Sequence, residues 1–120
     1  MKITITASSP WLDAEFDPRF GRCAYFLLVN TETMQWEAFS NPGINASGGA
    51  GTQAAQFVAE QKVAAVISGD FGPNASSALK AAGILMYLNK NSGTIQEIVK
   101  RFIAGELLQF DTPTDSGSHR

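Results

Sequence analysis

Two short stretches of this 120-residue chain, SGGAGT (47–52) and GDFGPN (69–74), set glycines directly ahead of helix-like sequence. The first turn of a helix has unpaired N–H groups and partial positive charge, and glycine lets a ligand come close to that backbone. Anion binding is the chemistry they offer, against the plain alternative of a tight connection. A third stretch, RFGRC (19–23), brackets Phe20 and Gly21 with two guanidinium groups and ends on the only cysteine. Arg19 and Arg22 could neutralise sulfide or oxo groups of an anion, or pair with Asp13, Glu15 or Asp17 in the same segment. Cys23 could give a thiolate to a soft metal, although one thiolate is a poor chelator and a small buried side chain is the simpler reading. Lys90 could lend charge to the same place or be merely solvated. Trp11 could cover a ligand or pack on the core.

These stretches act together only if the fold gathers them. KITIT (2–6) alternates like a strand, and 25–31 and 34–40 are two apolar runs separated by a turn, which suits an antiparallel hairpin. The spacing then predicts a helix over 52–62, a buried strand over 63–69 and a helix over 73–83 opened by Pro73 and closed by Gly83. A strand over 84–88 and a helix over 94–108 complete the chain, with Met34 and Met86 as core residues of strands. Thr94 and Glu97 have the spacing of a capping box at the start of that last helix. The order β-β-β-α-β-α-β-α implies an α/β fold, a mixed five-stranded sheet flanked by helices, in one domain over 1–110. The polar stretch 111–120 is expected to be a disordered tail. With strand 2 antiparallel to strand 1, strands 1, 3, 4 and 5 all finish on one rim. The glycine-rich segments 7–24, 41–52, 69–74 and 89–94 then meet where ligands of open α/β sheets bind.

Composition narrows the function. A net charge of −2 does not advertise nucleic-acid binding, and no apolar run approaches the roughly 18–20 residues of a membrane span. The N-terminus alternates and lacks the apolar centre of a signal peptide. One cysteine excludes an internal disulfide or a multi-thiolate site, and the cytoplasm is the default compartment. A two-metal nuclease needs several carboxylates, yet the first strand has none and Asp70 stands alone after the fourth. The only histidine, His119, sits in the tail, which removes a Ser-His-Asp set, and the Walker lysine pattern is absent.

FDPRFGRCAYFLL (16–28), the long stretch from Gly48 to Ile84 and the strand order resemble the dinitrogenase iron–molybdenum cofactor-binding family. That family includes nitrogenase cofactor carriers and molybdenum–copper orange-protein relatives, and the likeness covers roughly residues 1–108. The resemblance implies a ribonuclease-H-like fold and a non-catalytic carrier or storage role. The cargo would be an anionic molybdenum-containing sulfide cluster, of molybdenum–copper or iron–molybdenum type, held non-covalently. The positions that match are Arg19, Phe20, Gly21, Arg22 and Cys23, then Gly48, Gly49, Gly51 and Thr52, then Gly69, Gly72, Pro73 and Asn74. Phe20, Ala50 and Phe71 are expected as walls, and Cys23 as the one candidate metal ligand. An assembly or acceptor protein is the partner implied. Two other readings use the same loops: a module binding a phosphorylated or nucleotide-like metabolite, and an accessory interaction protein in metal-centre assembly.

Overall fold

Strand β1 (Lys2–Ala7) is buried at every position after Lys2, on both of its faces. A strand covered on both sides belongs at the centre of a sheet, and its neighbours confirm that place. The computed structural model describes residues 1–110. β1 pairs antiparallel with β2 (Tyr25–Asn30) and parallel with β4 (Ala65–Ser68). β3 (Trp36–Ser40) lies outside β2, and β5 (Leu85–Leu88) outside β4. A short strand β6 (Leu108–Phe110) adds antiparallel to β5, giving the order β3-β2-β1-β4-β5-β6. Among the described residues the sheet has six strands, not the five expected.

The pleat separates two cores. Thr4 and Thr6 of β1 share a face with Phe26, Leu28, Val66 and Met86, and helices α1 (Ala50–Glu60) and α2 (Pro73–Ala81) cover it. Ile3, Ile5, Leu27, Val29 and Ile67 point the other way, onto Ile95, Ile98 and Val99 of α3 (Ile95–Ile103). A fully buried side chain of this size contributes about 1.5–3 kcal/mol, so this face alone anchors α3.

Two differences from the sequence expectation have local causes. The last helix stops at Ile103 instead of running to 108, because Gly105 takes a left-handed φ of 76°. Glu106 N–H then donates to Arg101 O and Gly105 N–H to Phe102 O, the two bonds of a Schellman motif, and the chain turns into β6. Met34 is not in a strand; it sits in the β2–β3 turn with φ 62° and packs partly buried against the α3 side. The expected tail, 111–120, lies outside the described residues.

Candidate functional site

β1, β4 and β5 run parallel while β2 runs against them, so β1, β3, β4 and β5 end on one rim. The loops there are tied to each other. Asp17 N–H donates to Thr6 O at 3.2 Å, Gly69 N–H to Pro18 O at 3.1 Å, and Asn41 N–H to Ala24 O at 3.0 Å. Two glycines permit the approach. A methyl on Gly69 would overlap Pro18, and one on Gly21 would stand 3.0 Å from the Gly51 nitrogen.

Between these loops lies a cavity of 250 Å³. Phe20 and Gly21 form one side, residues 49–52 at the start of α1 a second, and 72–75 at the start of α2 a third, with Asp70 at its edge. Neither helix caps itself with a side chain: the N-cap residues are Gly49 and Gly72, and no acid stands in either first turn. The first helical bonds run from Gln53 N–H to Gly49 O and from Ser76 N–H to Gly72 O, both 2.9 Å. Earlier N–H groups, of 50–52 in α1 and 74–75 in α2, have no helical acceptor. α3 behaves differently. Its Thr94 hydroxyl accepts from Glu97 N–H, and the Glu97 carboxylate accepts from Thr94 N–H at 2.9 Å. That bond is the main cause holding Glu97 below the usual carboxylate range.

The cavity does not include every residue the sequence nominated. Arg19 turns back on Asp17, Nη2 to Oδ2 at 2.9 Å, an ion pair that raises its pKa through the hydrogen bond first and the charge second. Arg22 donates from Nη1 to Ile44 O at 3.0 Å and Ala46 O at 2.9 Å, so it fastens the loop ahead of α1 and does not line the cavity. Cys23 is fully buried, with its thiol 3.5 Å from Phe20 O, and burial pushes its pKa up to about 12. It is not among the residues that line the cavity. Gly48 is exposed outside the lining, Gly69 packs on Pro18, and Phe71 lies behind the cavity, 5.3 Å from the Phe20 ring. Lys90 donates to Gly69 O at 2.7 Å from an adjacent cavity of 380 Å³. Trp11 is exposed and meets Trp36 edge-on at 6.4 Å, away from the site.

Three residues at the site are not among those the sequence nominates for binding. Asp70 and Ala75 line the cavity, and Ala75 follows from the helical position of Asn74. Buried Asn41 joins two loops: Nδ2 donates to Gly21 O and Cys23 O, and Oδ1 accepts from Gly43 N–H. No spacing signals a bond between residues 18 and 20 positions apart. Among the described residues, no three His, Cys, Asp or Glu side chains cluster as ligands for a metal ion. No described helix is long and apolar enough to cross a membrane.

Comparison with known proteins agrees with this fold. Residues 1–105 match the family model described as dinitrogenase iron-molybdenum cofactor. An uncharacterised protein of Methanocaldococcus jannaschii is 37% identical over 97 residues, 78% of this chain and 81% of its own length. The apo form of the orange protein from Desulfovibrio gigas superimposes with a TM-score of 0.88 at 38% identity, covering 93% of this chain and 94% of its own. A putative NifB protein from Thermotoga gives a TM-score of 0.78 at 30% identity, covering 93% and 97%.

Proposed function

The chain belongs to the dinitrogenase iron–molybdenum cofactor family, and from that premise we propose that it is a non-catalytic carrier or storage protein. Its cargo in this reading is an anionic, molybdenum-containing sulfide cluster of molybdenum–copper or iron–molybdenum type. The observation that carries the reading is the pair of uncapped helix N-termini opening into one cavity. Each favours a nearby anion by about 0.3–1 kcal/mol when exposed, and by up to about 2 kcal/mol when partly buried. Their N–H groups supply hydrogen bonds, while Phe20, Ala50 and Pro73 offer an apolar wall to soft sulfide ligands. Gly21, Gly49, Gly51 and Gly72 keep the backbone accessible, and Thr52 and Asn74 add polar side chains at the two helix starts. The hold is non-covalent.

Cargo on an open rim can pass to an assembly or acceptor protein without unfolding the carrier, which makes such a protein the expected partner, in the cytoplasm. The ribonuclease-H-like assignment belongs to the same proposal, supported by the strand order.

The test is loading without oxygen. Protein mixed with tetrathiomolybdate and copper, then desalted, should retain molybdenum by elemental analysis and show charge-transfer absorption. Gly51→Leu, which fills the space facing Ala75, should lose both. A colourless native protein free of molybdenum would contradict the carrier role.

A further inference from the structure

The carrier reading gives Asp70 no task. The residue sits on a loop fixed on both sides. Gly69 N–H donates to Pro18 O at 3.1 Å, Gly69 O accepts from Lys90 Nζ at 2.7 Å, and Phe71 packs between the rings of Phe20 and Phe110. Between those anchors Asp70 is exposed and lines both the helix-terminus cavity and the adjacent cavity of 380 Å³. Its carboxylate makes no hydrogen bond or ion pair among the described residues. Among the described residues, every other one lining the helix-terminus cavity is uncharged. A cradle of N–H donors thus carries one full charge, of the same sign as an anion.

Coulomb repulsion scales with the ligand's charge and falls with distance. A compact oxyanion brings its whole charge beside Asp70, whereas a large cluster spreads the same charge over atoms farther away. Building a repulsive element against unwanted ligands is a general route to specificity. Resting on the carrier reading, we propose that Asp70 is the selectivity residue of this cavity. Its carboxylate rejects compact, multiply charged oxyanions of the phosphate and molybdate type and leaves the cradle to a bulky cargo of low charge density. A role confined to stabilising the α2 dipole would change the melting temperature and ignore the ligand's charge.

Perrhenate and molybdate are tetrahedral oxyanions of similar size that carry one and two negative charges. Native protein, Asp70→Asn and Asp70→Glu are titrated with each by calorimetry at low and high salt. Asp70→Asn should tighten molybdate several-fold and perrhenate by a smaller factor, near the square root of the first. Both gains should shrink at high salt, and Asp70→Glu should behave as native. Equal gains for the two anions, or none, overturn the filter. Failure of all three proteins to bind either anion also overturns it, and the loading experiment with tetrathiomolybdate and copper then decides the carrier reading separately.

Discussion

Cys23 and Arg22 stand one bond apart in sequence and show how a neighbourhood overrules residue type. The thiol is buried in the same apolar cluster as Phe20 and Phe26, and burial first, then the charge of Asp17, raises its pKa to about 12. An unfolded thiol ionises near 9.0, so rising pH between these values favours the unfolded chain. Stability from this group is complete below the lower value and is lost as pH climbs toward the upper one. Urea melts from about pH 8 to about pH 11 should show that decline in the native protein and a shallower one in Cys23→Ala, with cargo uptake unchanged. Arg22 holds two carbonyls of the loop ahead of α1. Arg22→Ala should therefore speed amide exchange in that loop and weaken uptake several-fold, with little change in melting temperature. The sequence brought Arg22 to attention for its charge, but its partners lie 22 and 24 positions away, beyond any local pattern.

Helix starts divide the elements into two kinds. α3 satisfies its own first turn with Thr94 and Glu97, a pairing legible in the sequence because it is local. Thr94→Ala should cost about 1 kcal/mol in chemical denaturation and leave uptake unaffected, since α3 packs on the opposite sheet face. α1 and α2 open on glycine and leave their donors for something else. The glycines were legible; their use depended on the two helices lying side by side. β6 was not legible. Three residues after a helix-like run carry little pattern, and their strand conformation comes from pairing with β5.

At the scale of the molecule, strand direction does most to create the site. Once β2 was read as antiparallel, the convergence of four strand ends followed without any side chain, and 49–52 and 72–75 do line one cavity. Beneath it runs a chain of six phenylalanines, Phe39, Phe57, Phe26, Phe20, Phe71 and Phe110, with neighbouring ring centres 5.3–5.7 Å apart. Phe20 is both a link in that chain and a wall of the cavity, so Phe20→Ala should cost about 3–5 kcal/mol and abolish uptake together. A variant that separates binding from folding is more incisive. Gly72 has an extended N-cap conformation and open space around its Cα, so Gly72→Asp fits and caps α2. Loading of this variant and of neutral Gly72→Ser with tetrathiomolybdate and copper, beside their melting temperatures, tests directly whether free helix N-termini hold the cargo. Both variants should melt at or above the native temperature and retain far less molybdenum; native-level loading in a capped variant would contradict the cradle.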